Sequence, residues 1–336
     1  MAGMLKIIAE RAGLSQSTVS QILNRKANDF SSEETRRRVF ALASELGYKQ
    51  KFGHKLLRGD KTRTVGVLLG MHRITLEEHI QAMIIRLLDK LEMKGYGAYL
   101  VTLSDNEEKN LQTIRDLISR GVDCFIAIGD PVGGRKVEQE ILKNKKTVIG
   151  YVTSFHRNIV QDLSASCAEI IRFFLREGRS NFRFFLGYPA NGERLQGLKQ
   201  VFPEVPEQEL LERYHVSLGG LMEHDDIDTF AQIGYEKTKE ALERDPSISA
   251  FFYLSDYFAV GGVQCLMETG RKVGTDVLVA GFNNIHAVRT HYLPISSAEH
   301  AIEEITEGLV GEMDKTGDLN RIVYSKAIIR KNKGKE

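Results

Sequence analysis

The stretch IAERAGLSQSTVSQILN, residues 8–24, decides how the N-terminal part of this chain folds. Apolar side chains within residues 5–12 fall close to one helical stripe, and Gly13 ends that first helix. Ser15 then stands at the N-cap of a second helix, whose apolar residues are spaced by three and four. The pattern predicts two short helices joined by a tight turn.

A third helix is expected after Ser32, because two acidic residues follow this serine and apolar residues then recur at helical spacing as far as Gly47. A helix-turn-helix needs a small residue where its helices touch, a glycine in the turn and short polar side chains where the second helix begins. Ala9, Gly13 and residues 16–20 supply these three features. The alternative, a plain helical hairpin, stays open on this stretch alone.

Composition narrows the class of protein. The 336 residues favour two or three folding units, and no segment approaches about 18 uncharged apolar residues, so no membrane span is expected. The N-terminus meets charge almost at once and lacks an export signal, so we expect a cytoplasmic protein. Cys124, Cys167 and Cys265 are far apart and outside any Cys/His cluster, which predicts neither disulfides nor a metal site.

The charge is unevenly spread along the chain. Residues 1–63 hold 13 Lys and Arg against 6 Asp and Glu, a balance of +7, and the remainder holds 33 against 39, a balance of −6. A basic head on an acidic body suits a chain whose first sixty-odd residues meet a polyanion. Such a charge run is more often a solvated face, so it supports a nucleic-acid partner only beside the helix-turn-helix pattern.

After a basic linker over residues 49–63, apolar runs alternate with amphipathic stretches. This alternation predicts parallel sheets covered by helices, and the number of runs favours two doubly wound lobes with ligands in the crevice at the strands' carboxyl ends. The predicted strand runs are Val65–Leu69, Ala98–Leu103, Cys124–Ile128, Thr147–Val152, Phe182–Leu186, Ala250–Leu254 and Val277–Ala280.

The run at residues 8–24, with its continuation through residues 32–36, 45–48 and 65–67, resembles the lactose-repressor (LacI/GalR) family of transcription regulators over nearly the whole chain. The resemblance implies an N-terminal three-helix DNA-binding head and a periplasmic-binding-protein-like core of two lobes. It implies base-reading positions and phosphate contacts in the head. The base-reading positions are Gln16, Ser17 and Gln21, and the phosphate contacts are Thr18, Ser20 and Asn24.

The linker of this family folds as a hinge helix on DNA and inserts a leucine into the minor groove, and by resemblance Leu57 takes that position with Lys55 beside it. The alternative, that Leu56 and Leu57 pack on the core, stays open. This linker lacks the family's usual proline near position 50 and contains Gly53, two departures from a regular hinge helix.

The resemblance also implies an effector site in the core. Arg194 stands in an Arg-x-x-Gly segment whose arginine donates to the ligand, and its planar fork suits hydroxyls or a carboxylate. Ser255 and Asn283 replace the family's asparagine and aspartate, and Asp256 follows the first of them. The segment 294–297 resembles the family's crossover between lobes. Three further side chains are weaker candidates for ligand contact: His79, Tyr151 and His300.

These observations predict a sequence-specific regulator, most simply a repressor, that forms a homodimer on operator DNA and responds to a sugar-like effector. No phosphate-binding, dinucleotide-binding or nucleophile-elbow motif is present, so we expect neither an enzyme nor a cofactor. The alternative is a periplasmic-type binding protein without a DNA role. The predicted bounds are 1–48 for the head, 49–63 for the hinge and 64–336 for the core, with a first lobe at about 64–159 and 295–322 and a second at about 160–294 and 323–332.

Overall fold

The computed structural model describes residues 2–23, 30–48, 60–70, 77–187, 192–218 and 227–332. The chain divides into two compact units, Met1–Thr62 and Arg63–Glu336. No helix of the described residues is long and apolar enough to cross a membrane.

The first unit contains the three predicted helices, which are α1 (Ala2–Ala12), α2 (Gln16–Leu23) and α3 (Glu33–Glu45). Gly13 adopts φ +64°, a left-handed conformation that glycine reaches without steric cost, and so turns the chain between α1 and α2. The Thr18 N–H donates to Ser15 Oγ at 3.0 Å, which confirms Ser15 as the cap of α2.

The three helices pack around a core of their own. Ile8, Val19, Ile22 and Val39 are fully or almost fully buried, and small alanines at positions 9, 12 and 43 let the helices approach closely. Burial of four branched side chains stabilises so short a unit by several kcal/mol, at about 1.5–3 kcal/mol for each one.

The second unit is built from two six-stranded sheets, which confirms the predicted pair of doubly wound lobes. Every strand pairing of the first sheet is parallel, in the order β11-β5-β4-β3-β1-β2. Its strands are β1 (Thr64–Leu69), β2 (Gly97–Thr102), β3 (Cys124–Ile128), β4 (Thr147–Tyr151), β5 (Arg157–Asp162) and β11 (Leu319–Tyr324).

The second sheet repeats this arrangement in the order β12-β10-β9-β8-β6-β7. The pairing of β12 with β10 is antiparallel, and the other pairings are parallel. The strands are β6 (Phe182–Leu186), β7 (His215–Ser217), β8 (Ala250–Phe252), β9 (Leu278–Phe282), β10 (Ile295–Glu299) and β12 (Lys326–Ile328).

Helices cover both faces of each sheet, so the central strands are buried on both sides. Phenylalanine dominates the second core, where the rings of Phe184 and Phe252 stack at 4.7 Å and those of Phe252 and Phe282 at 4.9 Å. The described helices of this unit are α4 (Glu78–Met93), α5 (Glu107–Ser119), α6 (Gly134–Lys143), α7 (Ser164–Arg176), α8 (Gly192–Val201), α9 (Glu207–Tyr214), α10 (Phe230–Arg244), α11 (Asp256–Glu268), α12 (His286–Arg289) and α13 (Ile302–Glu312), with a 3₁₀ turn at Ile227–Thr229.

The lobe boundaries differ from the predicted ones at three places. The predicted first lobe includes residues 295–322, whereas β10 pairs with β9 and therefore belongs to the second sheet. The chain crosses to the first lobe only after Glu299, and it returns after Tyr324. The whole of β5 lies in the first sheet, so the first crossover follows Asp162 instead of residue 159.

Five strands have no counterpart among the predicted runs: β5, β7, β10, β11 and β12. Polar side chains interrupt their apolar character, as the pair Ser296–Ser297 does in β10. Both serines are nonetheless buried, because the Ser297 hydroxyl donates to the Asp256 carboxylate at 2.9 Å and Ser296 Oγ accepts from the Arg330 N–H at 3.1 Å. These strands depend on hydrogen bonds between residues far apart in sequence. The spacing of hydrophobic residues along the chain cannot reveal such bonds.

Helices α10 and α11 cross with backbone almost in contact at Gly261, where an added Cβ would lie 1.6 Å from the Ala231 carbonyl oxygen. Gly261→Ala should therefore lower the free energy of unfolding by about 3 kcal/mol, since two packed helices must separate. Gly311→Ala in α13 is the matched control, because nothing lies within 4 Å of its added Cβ. The control should equal or exceed wild type by up to about 1 kcal/mol in urea unfolding followed by circular dichroism. Equal stability of the two variants would contradict the described crossing.

Candidate functional sites

The second helix of the head presents one polar and one apolar face. Val19 and Ile22 are buried against the other two helices, and Gln16 and Ser17 are exposed at the helix start. Thr18, Ser20 and Gln21 are partly exposed. The N-terminus of α2 also carries the positive end of the helix dipole, which favours a phosphate nearby.

Two polar contacts hold the helices of the head in place. Arg38 donates to the Ala12 carbonyl oxygen at 2.8 Å, and Arg11 pairs with Glu45 at 3.0 Å. The exposed polar start of α2 is therefore presented on a packed support, as recognition of base edges in a groove requires.

The structure describes some of the predicted DNA-contacting residues and not others. The Thr18 hydroxyl lies 2.8 Å from Ser15 Oγ, so it forms part of the cap, and its phosphate contact stays a prediction. Gln16, Ser17, Ser20 and Gln21 stay predictions that their exposure allows. Three predicted contacts fall outside the described residues: Asn24, Lys55 and Leu57.

A cavity of about 410 Å³ lies between the two lobes of the second unit. The ends of β3 and β4 in the first lobe contribute Ile128 and Tyr151, and the turns after β8 and β9 in the second lobe contribute Ser255 and Asn283. The carboxyl ends of both parallel sheets thus open on one crevice, which is where doubly wound sheets bind ligands.

Six of the seven predicted effector residues line this cavity: His79, Tyr151, Arg194, Ser255, Asn283 and His300. Asp256 is the exception, because its side chain does not line the cavity, so its contact with an effector stays a prediction that this geometry does not support. Its buried carboxylate turns away and accepts from the Ile285 N–H at 3.0 Å and from the Ser297 hydroxyl at 2.9 Å. Burial raises the pKa of Asp256 to about 8. Asp256 therefore fixes the turn that carries Asn283.

A directional chain of hydrogen bonds crosses the cavity wall. The Ala301 N–H donates to Gln161 Oε1 at 2.9 Å, so the Gln161 amide nitrogen is the donor to His300 Nδ1 at 3.0 Å. His300 Nε2 must then carry the proton, which it donates to Asn283 Oδ1 at 2.9 Å. The amide nitrogen of Asn283 donates in turn to Glu77 Oε2 at 3.0 Å. Every member of this chain is satisfied, and the chain ends on a carboxylate.

The two histidines of the wall stack on each other. The rings of His79 and His300 lie 4.1 Å apart with an interplanar angle of 5°. Burial, reinforced by the positive charge of Arg194, lowers the pKa of His79 to about 4. Burial also lowers the pKa of His300 well below the usual value, with His79 and Arg194 acting in the same direction. Both rings are therefore neutral at pH 7, with one donor and one acceptor nitrogen each, and His300 uses both of its nitrogens in the chain described above.

Arg194 packs on an aromatic face and has no ion-pair partner among the described residues. Its guanidinium carbon lies 4.2 Å from the centre of the Phe282 ring, a cation–π contact. Burial lowers the pKa of Arg194, and Glu77 and Glu193 oppose that shift through their charges. A guanidinium remains protonated at any physiological pH despite such a shift.

Three buried polar atoms of the lining residues have no hydrogen-bond partner within the described part of the chain. They are Arg194 Nε, Ser255 Oγ and His79 Nδ1, the last of which lies 3.3 Å from Glu77 Oε2 without hydrogen-bond geometry. A buried polar group without a partner costs about 1–3 kcal/mol, so such groups are few in native proteins, and three of the six found among the described residues lie at this cavity. Their convergence on one cavity indicates a site for a ligand with several donors and acceptors.

Several lining residues were not predicted from the sequence. Glu77, Gln161 and Glu193 supply polar groups, and Phe230 and Phe258 supply aromatic ones. Glu193 directly precedes Arg194, so the motif that identified Arg194 could also have pointed to Glu193. Gln161 lies on β5, a strand that the apolar runs did not reveal.

No group of three or more His, Cys, Asp and Glu side chains among the described residues could hold a metal ion. The three cysteines are free and buried, and burial raises the pKa of the Cys167 thiol.

Family models match both units. A model described as bacterial regulatory proteins of the lacI family matches residues 4–51, and a model of the periplasmic binding protein-like domain matches residues 171–316. The first match covers the three helices of the head, and the second lies within the two-lobed unit.

Similar proteins of known role are transcription regulators. The transcriptional repressor PurR of Histophilus somni (strain 129Pt) is 23% identical over 339 residues, covering 98% of each chain. The regulator AscG of Escherichia coli (strain K12) is 24% identical, covering 93% of this chain and 91% of its own. The repressor MelR of Bacillus subtilis (strain 168) is 25% identical and covers 90% of this chain and 87% of its own.

Solved structures share the fold over nearly the full length. The Lac repressor dimer bound to operator and the anti-inducer ONPF gives a TM-score of 0.72 at 17% identity, covering 97% of each chain. The complex of the transcriptional regulator CelR with cellobiose gives a TM-score of 0.64 at 17% identity, covering 98% of this chain and 99% of its own.

The depressed pKa of His79 makes stability depend on pH in a defined direction. Below pH 6.5 the unfolded chain takes up a proton on His79, whereas the folded chain does so only near pH 4. Between pH 7.5 and pH 5 the wild type should therefore lose about 2 kcal/mol of unfolding free energy relative to His79→Gln. Urea unfolding of both proteins at the two pH values measures this difference. Parallel pH profiles would mean that His79 is not buried in its neutral form.

Proposed function

Because this chain belongs to the LacI family of bacterial regulatory proteins, we propose that it is a repressor that binds operator DNA through its N-terminal head. A small uncharged, sugar-like effector in the cavity between its lobes controls this binding. The observation that carries this proposal is the packed helix-turn-helix with an exposed polar start of α2, in the same chain as a cavity with unsatisfied polar atoms. A periplasmic-type binding protein without a DNA role would have no use for such a head.

The charges of the cavity favour an uncharged effector. Among the described lining residues, Arg194 is the only cation at neutral pH, since both histidines are neutral. It faces the two carboxylates Glu77 and Glu193, although burial raises the pKa of each. The lining carries one net negative charge when both carboxylates are ionised and is neutral when one of them is protonated, and neither state attracts a phosphorylated or carboxylated ligand.

The shape and chemistry of the cavity favour a sugar. A volume of about 410 Å³ suits a mono- or disaccharide, and the unpartnered atoms of Arg194 and Ser255 could bond its hydroxyls. Phe230 and Phe258 offer apolar rings to a sugar face. One structural relative is a complex with cellobiose, which agrees with this class of ligand.

We also propose that the chain acts as a homodimer in the cytoplasm. Apolar side chains lie exposed on α4 and on the edge strand β2, where Ile85 is 61% exposed, Met93 87% and Leu100 47%. Such a surface on one lobe suits a partner of the same kind. Two heads side by side would read a pseudo-palindromic operator, and effector binding would alter their operator affinity by a coupling free energy.

Operator binding should depend on α2. An operator can be selected from random duplexes, and its affinity for wild type should fall steeply with salt, at a log–log slope of about −0.9 for each phosphate contact. Gln16→Ala should weaken binding by about 1–3 kcal/mol without changing this slope, because it removes a base contact. Gln208→Ala, an exposed glutamine on α9, is the matched control and should bind as wild type does. A flat salt response of the wild type would remove the DNA-binding role.

Effector binding should depend on Arg194. A thermal-shift screen of neutral sugars against their phosphates identifies the effector, since a ligand at 100 times its dissociation constant adds about 2.7 kcal/mol of stability. Arg194→Ala should abolish the shift given by the best sugar while operator affinity without the sugar stays within a few-fold. Arg172→Ala, an exposed arginine on α7, should keep the shift. A full shift in Arg194→Ala, or a preference for the phosphates, would refute the proposed site.

A further inference from the structure

The N-terminus of α4 contacts the opposite lobe through two consecutive acidic residues. Glu77 occupies the N-cap position but makes no side-chain cap, and its carboxylate instead accepts from the Asn283 side chain at 3.0 Å. An N-cap acid normally bonds its own helix, so its engagement elsewhere indicates a stronger competing partner. That partner lies on the turn after β9 in the second lobe.

Glu78 adds further bonds between the lobes at the same place. Its carboxylate accepts from the His286 N–H at 2.9 Å and from Arg289 at 3.1 Å, and its own N–H donates to the Tyr257 hydroxyl at 3.0 Å. All three partners belong to the second lobe. Two of these bonds involve backbone amide hydrogens, so they report lobe closure directly in hydrogen exchange.

The Asn283 side chain is oriented by bonds on both sides. Its carbonyl oxygen accepts from the protonated nitrogen of His300, which leaves the amide nitrogen facing Glu77. The backbone at Asn283 has φ +93°, a region that costs a non-glycine residue about 1–3 kcal/mol unless its surroundings hold it. The two side-chain bonds supply part of that support.

We propose that Glu77 and Asn283 are a matched interlobe pair that holds the cleft closed without an effector, with Glu77 as a positioning residue of the cavity. The pair is matched because position 283 must accept from His300 and also donate to a carboxylate, and an asparagine can do both. The inference goes beyond the proposed function and does not depend on which effector binds. Its failure would leave the roles of α2 and Arg194 untouched.

The proposal predicts a particular pattern of substitutions. Asn283→Asp is nearly isosteric, yet it places a second carboxylate about 3 Å from that of Glu77, and like charges so close cannot both ionise without penalty. Adding Glu77→Gln to the same chain restores the pair with donor and acceptor exchanged. The glutamine amide can donate to one oxygen of the new carboxylate at position 283, and His300 still donates to the other oxygen. Glu77→Gln alone should keep the bond, because the glutamine oxygen can still accept from the Asn283 amide, whereas in the Asn283→Asp chain it should correct the effect of that substitution.

Hydrogen exchange of the full chain measures closure in wild type, Asn283→Asp, Glu77→Gln and the double variant. Peptides that contain the Glu78 and His286 amides should exchange at least tenfold faster in Asn283→Asp and within about threefold of wild type in the double variant. Wild-type exchange in Asn283→Asp, or no rescue in the double variant, would overturn the proposal. A merely structural loss at position 283 would not respond to the residue at position 77.

Asn284→Asp supplies a matched control within one lobe. The Asn284 amide donates to Glu299 at 2.8 Å, and both residues lie in the second lobe. This variant also sets two carboxylates side by side, but across no cleft and beside the Arg330 guanidinium, which donates to the Asn284 side-chain oxygen at 2.7 Å, so the Glu78 amide should keep its wild-type exchange. Faster exchange of that amide in the control, to the degree seen in Asn283→Asp, would show a general loss of the turn and would overturn the interlobe assignment.

Discussion

Polar side chains can lie buried between two apolar lobes only if their donors and acceptors are matched, and the chain of hydrogen bonds from Gln161 to Glu77 meets that requirement. It begins on a strand of the first lobe, passes through the crossover at His300 and the turn at Asn283, and ends on the first lobe again. The geometry of the cavity depends on it, because it fixes the tautomer of His300 and the orientation of Asn283. The atoms left over by this chain are those offered to a ligand.

The surrounding fold makes such a chain possible by bringing distant segments together. Parallel strands place every βα turn at one edge of the sheet, and two sheets facing each other gather turns that are more than two hundred residues apart. Asp256 also joins distant segments, behind the cavity wall, because its buried side chain connects the turn of Asn283 to β10. The residue contributes to the cavity by position, although it does not line it.

The sequence predicts much of this arrangement wherever local rules apply. The head follows from a glycine, two serine caps and a helical stripe, all of which act within a few residues. Most strands of the sheets can be predicted from apolar runs. Strands β5 and β10 cannot, because their polar residues form hydrogen bonds only in the folded chain. Arg194 and Asn283 could be placed by resemblance to a motif. Glu77 belongs to no motif, and only the crossing of the cleft brings it to Asn283.

We propose that the state of the cleft controls operator binding by the head, and one measurement tests this without a known effector. The operator dissociation constant of Asn283→Asp can be compared with that of wild type at one salt concentration, with a scrambled duplex as reference. If closure of the lobes and operator binding are coupled, the operator affinity should change at least fivefold while the affinity for the scrambled duplex does not. Equal operator affinities in a variant whose cleft opens would contradict the account.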